Sequence, residues 1–361
     1  MWKKIILCSL LLFPISTKAV GTSASSAILM DMDSQRILYS SNMNEQRSVA
    51  SISKIMTALI ACESGKLDNK VIVGSEITKA YGSGIYIKEG EELTLRDLLY
   101  GLMLRSGNDA ALAVAHYVGG SVEKFVETMN TKASELGMKN TLFHNPSGLD
   151  EEDGNFSTAY DMALLTSYAM KNEEYRTIVG TKKYKLTTNK NTYLWHNKHK
   201  LVTGGYEFAT GGKTGFTKIA KRTLVTTASK ENLNLVVVTL NDGNDWEDHK
   251  SLFEYGFNNY HNYLIQAKGV VTPKEDYYRK DKLYIKNNLS YPLSDEETQA
   301  LTLQYRLEKK RSYENGDQVG VVETYLGDQK VHEEPVYVEV MKIEKKKGFF
   351  QKLKDWFTHL W

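Results

Sequence analysis

Ile52, Ile55, Met56, Leu59 and Ile60 recur at helical spacing, and Gly65 closes the run. A helix this apolar has to be buried, and that requirement organises the rest of the chain. Ser51 lies at its N-terminal end and Lys54 one turn further on, along the same side. A hydroxyl there is close to an amine, and both feel the positive end of the helix dipole. A serine nucleophile whose base is a lysine needs that arrangement. Ser121 and Lys124 repeat the Ser-x-x-Lys spacing, as an ordinary capped helix start. The pattern therefore gains meaning only from its company.

With 361 residues the chain has room for two domains, each with its own core. A net charge of +2 gives no reason to expect nucleic acid as a partner. Lys3 and Lys4 precede a mostly apolar run from Ile5 to Ile15, and Thr17-Lys18-Ala19 offers small residues for cleavage. We expect a signal peptide over 1–19 and an exported protein at the outer face of the bacterial cytoplasmic membrane. Cys8 lies inside that segment, so the mature chain would keep only Cys62, a buried structural thiol, and no internal disulfide.

Further along, Ala27 to Ser41 reads as strand, turn, strand, with Asp31 and Asp33 as solvated turn residues. Helices are expected over Leu95–Leu104, Asp109–Val118, Ser121–Leu136 and Thr158–Met170. Ser106-Gly107-Asn108 breaks the first pair apart, and Asn145 to Asp150 forms a turn-rich loop. After about Thr181 strands take over, with Thr223–Ala228 and Leu233–Leu240 as a pair, before a helix over Asp245–Tyr260. Helices inserted between strands from both ends of the segment suggest an α+β fold, an antiparallel sheet with helices packed on it. The domains expected are 20–264, a small β-rich one over 265–341, and a basic amphipathic helix over 342–361. On that helix Phe349, Phe350, Leu353, Trp356, Phe357 and Leu360 share one face, which suits an in-plane membrane anchor. Its thirteen residues from Phe349 to Trp361 would span about 20 Å, too short to cross a bilayer.

Three short motifs stand in order: Ser51-x-x-Lys54, Ser106-Gly107-Asn108 and Lys213-Thr214-Gly215. Together, in helix, interhelical-turn and strand contexts, they resemble the trio of penicillin-binding proteins and β-lactamases. The run Leu95 to Val118 and the loop Asn145-Pro146-Ser147-Gly148-Leu149-Asp150 extend the likeness to the serine D-alanyl-D-alanine carboxypeptidases, over roughly Ala27 to Tyr260. That resemblance implies a DD-peptidase/β-lactamase-like five-stranded antiparallel sheet flanked by helices. It implies hydrolysis of the C-terminal D-alanine from peptidoglycan stem pentapeptides, with β-lactam antibiotics as covalent inhibitors and no cofactor.

By the same resemblance Ser51 attacks, Lys54 is its base, and Ser106 relays a proton to the leaving D-alanine. Asn108 orients the substrate amide and Lys54. Lys213 and Thr214 hold the terminal carboxylate, and Gly215 allows close approach of the strand to the substrate. The amides of Ser51 and Phe216 form the oxyanion hole. For Lys54 to act, burial and a second cation, Lys213, must depress its ordinary value near 10.4. The Asn145–Asp150 loop is expected to be structural. His196 and His199 are three apart but lack an acidic or thiol partner, so no metal is expected. Two alternatives stay open, a β-lactamase of the same fold and a non-catalytic wall-binding scaffold. A lactamase would need a deacylating base, for which Glu151 and Glu152 are the acids near the loop.

Overall fold

The structure, a computed structural model, describes residues 20–150, 154–274, 277, 278 and 280–341. The expected signal peptide, Glu151 and Glu152, and the expected anchor helix lie outside the described residues. Among the described residues no helix is long and apolar enough to cross a membrane. The chain divides into two compact units: residues up to 230 with 234–258, and 231–233 with those from 259 onward.

In the first unit five strands form one sheet: β1 (Ser26–Asp31), β2 (Ile37–Ser41), β3 (Ala209–Thr217), β4 (Lys221–Lys230) and β5 (Leu233–Leu240). Their order is β2-β1-β5-β4-β3. β1 pairs antiparallel with both β2 and β5, and β4 pairs antiparallel with β3. The central strands are apolar on both faces because both are covered. Ile28, Met30, Val225, Val236 and Val238 join the helical core on one face. On the other, α7 (Asp245–Asn259) approaches so closely that a Cβ on Gly256 would sit 2.7 Å from Leu235.

The helical layer holds α1 (Lys54–Glu63), α2 (Leu95–Arg105), α3 (Asn108–Gly119), α4 (Val122–Glu135), α5 (Ala159–Ala169) and α6 (Glu173–Gly180). α1 is buried from Lys54 through Cys62, which is why its sequence is apolar on every side. The Cys62 thiol is free, and burial pushes it up to about 12. Ser121 caps α4 by accepting from the Lys124 amide, the ordinary role expected of that second Ser-x-x-Lys.

One expectation is overturned. Asp31 is not solvated: it is 2% exposed, and burial raises its carboxyl to about 6. The turn residue Ser34 supplies the reason, donating both its amide (2.8 Å) and its hydroxyl (2.6 Å) to Oδ2. The turn thus satisfies the carboxylate in place of water.

The second unit is β-rich. A five-stranded sheet runs in the order Gly269–Val271, Lys282–Ile285, Gln329–Glu339, Gln318–Leu326, Leu301–Leu307. Val271, Tyr278, Leu283, Ile285, Leu289, Val319, Val322, Val336 and Val338 form its core.

Candidate active site

Ser51 stands in a 3-10 turn, Ala50–Ser53, which runs straight into α1 at Lys54. The turn is tighter than the plain helix start expected from the spacing. Ala50 takes φ 50°, a left-handed value that costs a residue with a Cβ about 1–2 kcal/mol. Its surroundings hold it there. The Ser53 hydroxyl donates to the Ala50 carbonyl at 2.8 Å, and Gly148 packs against the same oxygen. A Cβ at Gly148 would fall 1.9 Å from it, at φ 80°, so only glycine fits.

Lys54 is fully buried, and its Nζ has three oxygen neighbours: Ser51 Oγ at 3.0 Å, Asn108 Oδ1 at 2.7 Å and the Ser147 carbonyl at 2.5 Å. The two carbonyl oxygens can only accept. A neutral amine has two N–H bonds for them and a lone pair left for the Ser51 hydroxyl. Electrostatics favours that form. Burial pushes Lys54 well below the usual lysine value, and the charges of Lys213 and Lys198 push the same way, against Asp109.

Asn108 is the first residue of α3, placed by the left-handed Ser106 (φ 64°) that ends α2. Its Nδ2 donates to the Tyr81 carbonyl at 2.6 Å and its amide to the Ser83 carbonyl at 2.8 Å. The neighbouring Asp109 accepts from the amides of Ile85, Tyr86 and Ile87, fixing that segment against α3. The Asn108 amide group is therefore oriented before any ligand arrives.

Lys213, Thr214 and Gly215 lie within β3, not ahead of it. Lys213 is buried, and its Nζ donates to Ser106 Oγ at 3.1 Å and to the Thr214 carbonyl at 2.7 Å. Burial lowers it to about 7, and Lys198 adds to the effect. The Lys213 charge pushes Lys54 further down than burial alone would. A Cβ at Gly215 would meet Thr223 Oγ1 at 2.3 Å and the Ser51 amide at 3.1 Å. The glycine thus makes room for the Ser51 backbone, a reason beyond the substrate approach expected of it.

These groups face a cleft of ≈ 300 Å³ lined by Ser51, Ser106, Thr214, Gly215 and Phe216. Lys198, Arg222 and Trp246 line it too, and sequence reasoning passed over all three. Asp245 grips the Arg222 guanidinium at 2.5 and 3.0 Å, and the Trp246 ring centre lies 5.7 Å from it. Ser147 was missed as well: the loop expected to be structural supplies a backbone oxygen to Lys54. Asp150, in that loop, accepts from Ser48 (2.5 Å) and from Thr217, tying together the segments that carry Ser51 and Lys213. His199 is engaged elsewhere, its Nε2 against the Val225 carbonyl (3.0 Å) and Thr226 (3.1 Å), while His196 ends an exposed strand.

A family model described as D-alanyl-D-alanine carboxypeptidase matches residues 14–244, and one described as penicillin-binding protein 5, C-terminal domain, matches 260–341. The D-alanyl-D-alanine carboxypeptidase DacF of Bacillus subtilis is 34% identical over 286 residues, covering 77% of this chain and 73% of that protein. DacD of Escherichia coli is 29% identical and covers 96% of this chain and 93% of its own length. Among solved structures, penicillin-binding protein 5 from Haemophilus influenzae superposes with a TM-score of 0.75 at 25% identity, over 89% of this chain and 97% of that one.

Proposed function

The chain belongs to the D-alanyl-D-alanine carboxypeptidase family of serine peptidases, and from that premise we propose that it removes the terminal D-alanine of peptidoglycan stem pentapeptides through an acyl-enzyme on Ser51. In this reading the Lys54 lone pair takes the Ser51 proton, and Oγ attacks the carbonyl of the penultimate D-alanine. The amides of Ser51 and Phe216 receive the oxyanion. Ser106, with Lys213 at its oxygen, gives its proton to the departing amine and takes the one held by Lys54, so D-alanine leaves and Lys54 is again a free amine. Water then attacks the ester, Lys54 takes its proton and returns it to Ser51 Oγ as the acyl C–O bond breaks, and the shortened peptide and free Ser51 result. Lys213 and Thr214 take the terminal carboxylate, with Lys198 and Arg222 adding positive potential at the same cleft.

The observation that carries this reading is the 3.0 Å approach of a fully buried amine to the Ser51 hydroxyl, with carbonyls occupying its other directions. Purified protein is expected to release D-alanine from diacetyl-Lys-D-Ala-D-Ala and to form a long-lived adduct with labelled penicillin. No release would favour a scaffold, and rapid turnover of the penicillin would favour a β-lactamase.

The sequence pattern at each end supports an exported enzyme held at the membrane surface by Phe349, Phe350, Leu353, Trp356, Phe357 and Leu360. A chain ending at Glu344 is expected to stay active and remain in the soluble fraction. Pelleting of that truncated chain with membranes would remove the anchor reading.

A further inference from the structure

Two buried histidines, His199 and His249, take no part in the chemistry above, yet both are wired into the walls of the cleft. His199 Nε2 lies 3.0 Å from the Val225 carbonyl and 3.1 Å from Thr226 Oγ1, and the Val202 amide donates to its Nδ1 at 3.4 Å. A carbonyl only accepts and an amide only donates, so Nε2 carries the ring proton and Nδ1 does not. Thr226 Oγ1 also lies 2.8 Å from His249 Nδ1, and His249 Nε2 lies 3.0 Å from Thr239 Oγ1. With the His199 proton facing Thr226, that hydroxyl donates onward to His249 Nδ1, and His249 Nε2–H donates to Thr239. The run then has one direction and needs both rings neutral. Burial favours the same state, holding His199 at about 4 and His249 well below the ordinary histidine value.

Both ends of this run bear on the cationic side of the cleft. A Cβ at Gly212 would meet His199 Nε2 at 2.7 Å, so the ring closes against β3 one residue before Lys213. Trp246 meets the same ring edge-on, with 5.3 Å between centres. Asp245 and Trp246, which hold the Arg222 guanidinium, open α7, and His249 follows Asp245 by one turn. We propose that His199 and His249 are positioning residues for the substrate's terminal carboxylate. Their ordered run fixes the first turn of α7 and β3 at Gly212, so that Arg222 and Lys213 converge on one anion. This inference rests on the proposed function, and neither ring touches substrate in it.

Thr226→Val tests this, because it removes the hydroxyl between the rings and leaves Ser51, Lys54 and Ser106 untouched. On diacetyl-Lys-D-Ala-D-Ala its KM is expected to rise about tenfold, within the scale of a binding group displaced by a fraction of an ångström. Its kcat is expected to stay within about twofold of wild type. Thr226→Ser restores the hydroxyl and is expected to restore KM. In nitrogen NMR spectra of the wild-type rings, His199 and His249 should each show a protonated Nε2 and a bare Nδ1 at neutral pH. A protonated Nδ1 on either ring overturns the run. An unchanged KM in Thr226→Val, a fall in kcat alone, or a Thr226→Ser variant as impaired as Thr226→Val overturns the positioning role. If Thr226→Val does not fold, Thr239→Val cuts the run at its far end; a KM raised about threefold is expected, and an unchanged one overturns the role. No D-alanine release from wild type overturns the proposed activity instead, and the rate of labelling by penicillin, itself a carboxylate, then compares the same variants.

Discussion

Ser51→Ala is expected to give a folded protein that releases no D-alanine and takes up no labelled penicillin. The loss in kcat should be about 10⁴-fold or more, because the oxygen that forms the ester is removed. Folding should survive, since the change removes one hydroxyl oxygen and leaves Lys54 bonded to Asn108 and to the Ser147 carbonyl. Its denaturation midpoint should correspond to a change within about 1 kcal/mol. An adduct that persists in this variant would show that another residue is the nucleophile.

Lys54→Met is the second large effect, and it separates chemistry from charge. Without a base the rate of acylation should fall about 10³-fold. Lys54→Arg should fare no better, because a guanidinium keeps its proton at every working pH. The same burial that lowers Lys54 also links stability to pH. Folded Lys54 titrates well below its unfolded value near 10.4, so between the two the unfolded state binds a proton that the folded state lacks. Stability therefore rises with pH across that window. Lys213, at about 7 when folded, adds a second such group. Between pH 8 and 9.5 the slope in wild type should match the uptake of about two protons on unfolding, and in Lys54→Met about one. Urea midpoints across that range would measure it, and identical slopes would mean that Lys54 stays charged in the fold. In activity, KM should climb above about pH 7 as Lys213 loses its charge while kcat holds.

What the sequence disclosed followed the range of each interaction. Ser51 and Lys54 are neighbours on one turn, so their meeting was readable from spacing alone. Asn108, Lys213 and Ser106 come from distant segments, and only the ordered trio of motifs pointed to them. The main strands and helices were legible because apolar periodicity dictates them, as in α1 and β5. Asp31 was not, since a turn signature says nothing about a hydroxyl three residues on folding back to cover the carboxylate. Arg222 and Lys198 were equally silent, being single charges without a motif that only the fold turns into one cleft. Ser147 acts through its carbonyl, which every residue possesses, so its identity carried no signal. The packing of Gly215 against Ser51 likewise depends on two segments that meet only in the folded sheet.

The register of the central sheet has a consequence for how the enzyme comes into being. Ala27 lies opposite Thr239 and Ser26 opposite Leu240, so the earliest strand finds its inner neighbour only near the end of the first unit. Such pairing carries a high contact order, and closure waits on nearly the full length of the unit. A nascent chain therefore has Ser51 long before it has a groove to put it in, and hydrolytic competence arrives with the last strand.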